Sequence, residues 1–98
     1  MKVVWSEQAL SRLIEIQDFI TQANPHAAEA LVHKIVERGD GLSRFPEMGR
    51  MVPELPGSDM RELIEGRYRI VYRARGKRIE IITVFEGHRR FPADDVAE

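Results

Sequence analysis

The chain has 98 residues, of which 43% are hydrophobic and 32% charged, with no cysteine and a formal net charge of −1. A chain of this length builds one hydrophobic core, which excludes a two-domain enzyme with its own cofactor domain. The absence of cysteine excludes a disulfide framework and a thiolate nucleophile, and no apolar run is long enough for a membrane span or a signal peptide. A cytoplasmic protein is therefore expected.

The first half of the chain predicts a short strand at residues 2–5 and then two helices. Apolar side chains recur at helical spacing over residues 7–22, and Ser6 is placed to cap this helix. Asn24, followed by a proline, marks the start of a second helix that extends to about residue 44. Because the break between the two helices is short, they should form an antiparallel hairpin.

The second half of the chain predicts a loop and then a group of strands. The loop, at residues 46–59, is rich in proline and glycine and is long for a small domain. Turn signals at Gly66 and at Gly76-Lys77 separate the strands that follow. The predicted strands span residues 60–65, 67–75 and 78–86.

The predicted fold class is α+β, with the element order β-α-α-β-β-β. The helical hairpin must bury its apolar stripe on one face of a small antiparallel sheet, which leaves the other face of the sheet uncovered. Residues 1–92 are expected to form this single domain. Residues 93–98 are mostly polar and are expected to be a loosely held tail.

Positive charge is concentrated in one part of the chain. Residues 61–78 carry seven basic and two acidic side chains, whereas the segments on either side are net acidic. Such a segment indicates either a local anion site or a solvated strand edge.

Alternation along residues 67–75 sorts these side chains onto two faces, because successive side chains of a strand point in opposite directions. A two-residue turn at Gly76-Lys77 then fixes the pairing with the last strand. On the helix-covered face the expected pairs are Tyr68 with Phe85, Ile70 with Thr83, Tyr72 with Ile81 and Ala74 with Ile79. On the opposite face they are Arg67 with Glu86, Arg69 with Val84, Val71 with Ile82 and Arg73 with Glu80.

Arg69 has no carboxylate opposite it in this register and lies above an apolar floor. It is therefore a candidate for binding an external anion, such as a phosphate or a partner's carboxylate, although it could simply extend its stem over the floor. If Arg69 acts in this way, an Arg69→Ala variant should lose function and keep its fold. The face on which Arg61 lies depends on whether the Gly66 turn holds two or three residues.

Six short motifs, in this order along the chain, resemble the RelE/ParE superfamily of toxins from type II toxin–antitoxin systems. They are Asn24-Pro25-x-Ala27-Ala28, Leu42-x-x-Phe45-Pro46-x-x-Gly49-Arg50, Val52-Pro53-Glu54, Arg61-Glu62-Leu63, Tyr68-Arg69-Ile70-Val71-Tyr72-Arg73 and His88-Arg89-Arg90. The resemblance implies the same β-α-α-β-β-β layout. It also implies a growth-inhibiting toxin that a cognate antitoxin wraps and neutralises, in a hetero-oligomer that represses its own promoter and contacts operator DNA only through the antitoxin.

The superfamily contains two activities. RelE-like members are ribosome-dependent endoribonucleases that make the ribose 2′-OH attack the adjacent phosphate, whereas ParE-like members inhibit DNA gyrase. For the nuclease, the resemblance implies Arg69 as a phosphate contact and His88 as an acid or base, with Glu54 or Glu47 as a further base. The arginines expected to bind the target or a phosphate are Arg50, Arg61, Arg69, Arg73, Arg89 and Arg90.

The sequence favours the gyrase inhibitor. Arg50 is the only cation of the 46–60 loop, so the lysine-rich loop of RelE-like nucleases is missing. Phe91 stands where some nucleases carry a catalytic tyrosine, and a phenyl ring cannot transfer a proton. The alternatives that stay open are the ribosome-dependent nuclease acting on mRNA and a degenerate toxin that serves only in repression.

No metal, cofactor or membrane partner is expected. His26 and His33 lie seven residues apart on the second predicted helix, without cysteine or acidic partners at the spacing that a metal site needs. The expected partners are the antitoxin and gyrase, or the ribosome and mRNA in the nuclease alternative.

Overall fold

A computed structural model describes residues 1–97 as an α+β fold, in which two helices pack against a five-stranded sheet. The expected fold class is confirmed. The helices are α1 (Glu7–Thr21), α2 (Pro25–Asp40) and the short C-terminal α3 (Ala93–Val96), and a 3-10 turn follows α2 at Gly41–Ser43. The strands are β1 (Lys2–Trp5), β2 (Arg50–Met51), β3 (Arg61–Glu65), β4 (Tyr68–Arg75) and β5 (Arg78–Glu86).

Both long helices begin at side-chain caps. The Ser6 hydroxyl accepts a hydrogen bond from the backbone N–H of Ala9, and the Asn24 side chain accepts one from Ala27. These bonds satisfy N–H groups that have no partner within the helix. Pro25 occupies the first turn of α2, where its missing N–H costs nothing. The predicted helix starts are confirmed.

The sheet has the order β1-β5-β4-β3-β2 and is mixed. β2 to β5 pair antiparallel, whereas β1 pairs parallel with β5, from Lys2 beside Arg78 to Trp5 beside Ile81. The expectation of an entirely antiparallel sheet is wrong at this edge. The α1–α2 hairpin carries the chain from β1 at one edge of the sheet to β2 at the other edge, and β1 points in the same direction as its neighbour β5.

A β-bulge in β5 changes the pairing between β4 and β5. Near the Gly76-Lys77 turn the predicted register is correct. Beyond Val71 the register shifts by one residue, and Ile82 has no partner in β4. The observed pairs are Tyr68 with Glu86, Arg69 with Phe85, Ile70 with Val84, Val71 with Thr83, Tyr72 with Ile81, Arg73 with Glu80 and Ala74 with Ile79. The predicted pairs of residues 67–71 are therefore wrong, because an inserted residue turns every later side chain to the other face.

The helix-covered face of the sheet holds the main core. α1 packs over β5 and α2 over β3. The tyrosine pair behaves as predicted, since Tyr72 is fully buried in this core and Tyr68 packs at its margin. Its buried members are Ala9, Leu13, Ile35, Leu42, Leu63, Ile70, Tyr72, Ile79, Ile81 and Val84.

The second face of the sheet, which the helices do not cover, is not bare. It carries a smaller apolar cluster of Val52, Met60, Val71, Phe85 and Val96, with Leu55, Ile82 and Phe91 packed around it. Strands β4 and β5 supply part of this cluster, and the loop between β2 and β3 and the C-terminal segment supply the rest. The expected floor of Val71, Ile82 and Val84 is corrected, because the bulge sends Val84 to the helices and Phe85 to the second face.

The C-terminal segment is held by specific contacts. Asp95 accepts hydrogen bonds from the Arg12 guanidinium of α1, at 2.8 and 3.0 Å, and from the Thr83 hydroxyl of β5, at 2.8 Å. Val96 is buried in the second-face cluster. Residues 93–97 therefore do not form the loose tail expected from their polarity, and the remaining residue of that tail, Glu98, lies outside the described residues. Within residues 1–97 no helix is long and apolar enough to cross a membrane.

Candidate functional site

Arg69 lies at the centre of the second face and binds two carboxylates. Its Nη1 and Nη2 atoms donate to the two oxygens of Glu54, at 2.8 and 2.6 Å, and its Nε donates to Oε1 of Glu62 at 2.8 Å. A bidentate arginine–carboxylate contact of this kind is among the stronger hydrogen-bonding arrangements in proteins. Only 9% of the Arg69 side chain is exposed.

Two aromatic rings enclose the same guanidinium. Its Cζ atom lies 4.8 Å from the ring centre of Phe85 and 5.7 Å from that of Phe91. The two rings meet edge to face, with their centres 5.5 Å apart. Gly87 closes the side near the Arg69 stem, where an added Cβ would lie 3.2 Å from Cδ. Arg69 is therefore surrounded by two aromatic rings, the backbone at Gly87 and two carboxylates.

Four charged side chains of the second face contact one another in a series that alternates in sign and sums to zero. Arg50 donates from Nε to Oε2 of Glu62 at 2.7 Å. Glu62 also accepts from Arg69, which donates to Glu54, so the order of the contacts is Arg50, Glu62, Arg69 and Glu54. The Glu62 side chain is fully buried and uses both oxygens in these bonds. Because each buried charge meets an opposite one, the group avoids the desolvation cost of an isolated buried ion.

The protonation equilibria reflect these contacts. The hydrogen bonds that Arg69 donates to Glu54, and then to Glu62, raise the pKa of its guanidinium above the ordinary value despite burial. Arg69 in turn lowers the pKa of the Glu54 carboxyl. Both groups are thus fixed in their charged forms at neutral pH, and neither is suited to exchange a proton during a reaction.

The expectation that Arg69 lacks an internal carboxylate is wrong, for two structural reasons. The Gly66 turn holds two residues, so that Glu65 pairs with Tyr68 and Glu62 falls on the second face, diagonal to Arg69. The loop after β2 then folds back over the sheet and delivers Glu54, a contact between residues 15 apart. A two-residue turn was one of the two options that the sequence left open.

Arg73 and Arg61 are also engaged within the protein. Arg73 contacts Glu80 at 3.4 Å, in the predicted pair, and its side chain is 9% exposed. Arg61 pairs with Tyr72 and lies on the helix-covered side, where it donates to the backbone oxygen of Gly49 at 2.8 Å. Arg61 and Arg69 therefore lie on opposite faces of the sheet.

His88, Arg89 and Arg90 lie after β5 and are exposed. The backbone N–H of Arg89 donates to the oxygen of Glu86 at 3.0 Å, which closes a turn at this point. Arg89 and Arg90 border a cavity of about 370 Å³ that Tyr68 also lines, and burial there raises the pKa of the Tyr68 phenol. Among residues 1–97, no hydrogen bond or ion pair joins His88 to Arg69, although Gly87, the residue before His88, lies against the Arg69 side chain.

The sequence interpretation missed the residues that hold Arg69 in place. Glu62 and Glu54 were present in the recognised motifs, the latter only as a possible base, and neither was assigned to Arg69. Phe85 was placed on the wrong face, and the contact of Phe91 with Arg69 had no signal in the sequence pattern. In the described part of the chain, no three histidine, aspartate or glutamate side chains are grouped as a metal site would need.

Comparison with known proteins places these features in a family. Residues 3–91 match the family model described as the ParE toxin of the type II toxin–antitoxin system parDE. Toxin Y4kP of Sinorhizobium fredii is 35% identical over 95 residues, which is 93% of each chain. Toxin RelE2 of Caulobacter vibrioides is 35% identical over 63 residues, covering 64% of this chain and 67% of that protein.

A solved structure has the same fold. It is described as the chromosomal ParDE system from P. aeruginosa, and it superposes with a TM-score of 0.76 at 28% identity. The superposition covers 88% of this chain and 95% of the other. The resemblance inferred from the six motifs is confirmed.

Proposed function

The chain belongs to the ParE toxin family of type II toxin–antitoxin systems, and from that premise we propose that it arrests growth by binding DNA gyrase, without chemistry of its own. A protein of this kind needs a surface that recognises its target and needs neither a general base nor a free phosphate clamp. The proposal concerns the target and the mechanism, and each is open to direct measurement.

The observation that carries the proposal is the enclosure of Arg69. A RelE-like nuclease would use this arginine to stabilise charge on the reacting phosphate, which requires a guanidinium that can reach the substrate. Here Glu54 and Glu62 occupy its donors, and 9% of the side chain is exposed. A phosphate would have to displace Glu54 from a two-pronged contact before it could bind.

We assign target recognition to the accessible members of the predicted set of arginines. Arg89 and Arg90 are exposed beside β5, and 59% of the Arg50 side chain is exposed although it contacts Glu62. Arg69 and Arg73 serve the protein's own packing in this proposal, and Arg61 fixes the loop at Gly49. Exposed cations of this sort accelerate association with an acidic surface and select the partner.

The alternative is a ribosome-dependent endoribonuclease that cuts mRNA, and one observation favours it. The matched Caulobacter protein is named RelE2, after the nuclease branch of the superfamily. In this alternative Arg69 and His88 would be catalytic, and Glu54 would have to leave Arg69 when the substrate binds.

The family also implies the regulatory partner. We propose that a cognate antitoxin binds this chain in a hetero-oligomer, as the description of the P. aeruginosa ParDE system indicates for that protein. Contact with operator DNA would occur through the antitoxin alone. The complex would act in the cytoplasm, where gyrase and the bacterial chromosome are found.

The deciding experiment measures both activities with the same preparation. Purified toxin is added to a gyrase supercoiling reaction and, separately, to a translation reaction in which mRNA ends are mapped. We expect supercoiling to be inhibited, mRNA to stay intact, and the antitoxin to restore supercoiling. Cleavage of mRNA on ribosomes with unaffected gyrase would overturn the proposal and establish the nuclease.

Two sets of variants sharpen that experiment. His88→Ala should inhibit gyrase as well as the parent does, because a binding inhibitor transfers no proton. An Arg89→Ala/Arg90→Ala double variant should inhibit less well, most clearly at low salt. The matched control is Arg67→Ala/Lys77→Ala, which removes two exposed cations at the β3–β4 and β4–β5 turns and should leave inhibition unchanged.

A further inference from the structure

The segment of residues 44–51, here called the 44–51 loop, follows the 3-10 turn, ends with β2 and exposes several large apolar side chains. Of the eight large apolar side chains that are exposed within residues 1–97, three lie in this loop. They are Phe45, Met48 and Met51, with 63, 49 and 48% of their surfaces exposed. Grouped apolar side chains on a surface loop are typical of a protein interaction site, whereas single ones are common and need no explanation.

The 44–51 loop is held in one conformation by buried polar contacts. The Tyr72 hydroxyl accepts a hydrogen bond from the N–H of Gly49 and donates one to the oxygen of Pro46, both at 2.9 Å. Arg61 donates to the oxygen of Gly49 at 2.8 Å. Gly49 lies so close to the sheet that an added Cβ would be 2.6 Å from the backbone oxygen of Glu62. The exposed side chains are therefore presented from a fixed backbone.

The charges around these side chains are mainly positive. Arg44 and Arg50 are exposed in the loop itself, and Glu47 is the one acidic side chain among residues 44–51. Glu47 is 82% exposed and makes a weak contact with Arg61 at 4.0 Å, while the buried Glu62 pairs with Arg50. Three basic and two acidic side chains leave this surface with an excess of one positive charge. The chemistry that complements this surface is an apolar groove bordered by carboxylates.

We propose that the 44–51 loop is the apolar anchor through which the toxin binds its protein target. Phe45 and Met48 would enter an apolar groove of that target, while Arg44 and Arg50 would face carboxylates at its rim. The inference rests on the proposed function, because an inhibitor without chemistry must obtain its effect from binding alone. A preformed loop suits that need, since little ordering entropy is lost when it binds.

The surface fits other occupants less well. In a symmetric dimer the same patch faces itself, which would bring Arg44 and Arg50 of the two copies together at an unfavourable cost. A long-lived storage complex with an antitoxin calls for a larger and more hydrophobic surface than three side chains provide. Arg50 also connects the loop to the accessible arginines already assigned to target recognition.

The test compares two activities of the same variants. Phe45→Ala and Met48→Ala should each raise the toxin concentration needed for half-inhibition of gyrase, roughly tenfold for Phe45 as for a central interface residue. Both should relieve growth arrest on induction, while their affinity for the antitoxin stays within about twofold of the parent, as for a neutral surface change. Both side chains are exposed, so thermal melting should show a fold as stable as the parent's.

The matched control is Ile14→Ala, which removes an exposed apolar side chain, 56% accessible, from the outer surface of α1. Because α1 packs over β5, and β2 is the strand at the other edge of the sheet, this variant should inhibit gyrase like the parent. Arg44→Glu should slow association with gyrase, with an effect that weakens as salt is added.

Three results would overturn the inference. They are full inhibition by Phe45→Ala, a loss of antitoxin affinity with inhibition retained, and a change in self-association on sedimentation with inhibition retained. Failure of the gyrase proposal gives a different pattern. If the parent does not inhibit gyrase and growth arrest still requires Phe45, the loop binds another target, so the gyrase assignment fails and the role of the loop stands.

Discussion

The two faces of the sheet are both buried, but by side chains of different chemistry. The helix-covered face is filled with hydrocarbon side chains and the Tyr72 ring, contributed by both helices and the sheet. The second face has five buried apolar residues and, beside them, the buried charges of Glu62 and Arg69. The first face depends on shape and the second on exact pairing of charge, so the two should respond differently to substitution.

Adjacent residues of β4 make this comparison direct. Ile70 points to the helices and Arg69 to the second face, and both are buried. Removing hydrocarbon leaves a space that neighbours can partly fill, whereas removing one member of a buried ion pair leaves a charge with no compensation. Four single substitutions and one double variant test the contrast.

The largest effect is expected for Arg69→Ala, which leaves the fully buried carboxylate of Glu62 with Arg50 alone. Breaking a buried ion pair costs about 3–5 kcal/mol of unfolding free energy. Urea unfolding at neutral pH measures this loss. The result would replace the expectation from sequence that Arg69→Ala keeps its fold.

A double variant separates charge from packing at the same site. Arg69→Met/Glu62→Gln removes both charges and keeps most of the volume, so it should recover much of the lost stability. A double variant no more stable than Arg69→Ala would show that the second face depends on packing around Arg69 and not on its charge.

Ile70→Ala tests the helix-covered face one residue away. The lost contacts and the space left in a well-packed core should cost about 3 kcal/mol. Ile70→Val, which keeps most of the side chain, should cost about 1 kcal/mol and serves as the control. A larger loss of unfolding free energy for Ile70→Ala than for Ile70→Val would support a face that is stabilised by close packing. Equal losses would contradict that description.

Tyr72→Phe tests a polar contact at the border of the main core. The variant keeps the ring and leaves the N–H of Gly49 and the oxygen of Pro46 without their partner, at a cost of about 1–2 kcal/mol. Amide exchange should become faster in the 44–51 loop and stay unchanged in β5. Exchange that accelerates equally in both would mean that the hydroxyl supports the whole fold and not this loop.

Asp95→Asn should have the smallest effect at neutral pH, roughly 1 kcal/mol, because 37% of the Arg12 side chain is exposed to solvent. The hydrogen bond from Arg12, with help from Thr83, lowers the pKa of the Asp95 carboxyl. A carboxyl whose folded pKa lies below its unfolded value, about 3.9, stabilises the protein above that pH and loses its contribution as the pH falls through the folded pKa.

Unfolding measured at pH 7 and again near pH 3 checks this sign. The difference in stability between the parent and Asp95→Asn should be present at pH 7 and shrink in acid. A difference that grows in acid would contradict the assignment. Asp94→Asn, one residue earlier on the exposed side of α3, is the matched control and should show no such dependence.

The sequence predicted the local elements well, because their signals are local. The cap at Ser6, the Asn24-Pro25 helix start and the glycines of the two hairpin turns each act within a few residues, and all lie where they were expected. Gly66 and Gly76 adopt positive φ angles of 57° and 63°, which is why glycine is found there. Of these segments, Asn24-Pro25 also belongs to one of the six motifs that carried the family likeness.

The second face was predicted poorly because its contacts are not local. The prediction from alternation assumes that side chains change face at every residue. The bulge at Ile82 breaks this period, so the last side chains of β5 point to the face opposite the predicted one. The alternation pattern does not predict the bulge. It also does not predict that the loop after β2 folds back over the second face and brings Glu54 to Arg69. The sequence therefore placed Arg69 on the correct face of the sheet, and it was wrong in describing that face as open.

The parallel pairing of β1 with β5 has a consequence for synthesis of the chain. Strand β1 pairs only with residues 78–81, which follow it in the chain after both long helices and three other strands. Pairing between segments this far apart in the chain is slow to form. Closing the long loop between them loses conformational entropy before any stabilising contact is made. A nascent chain therefore cannot complete this sheet until residues 78–81 have been synthesised.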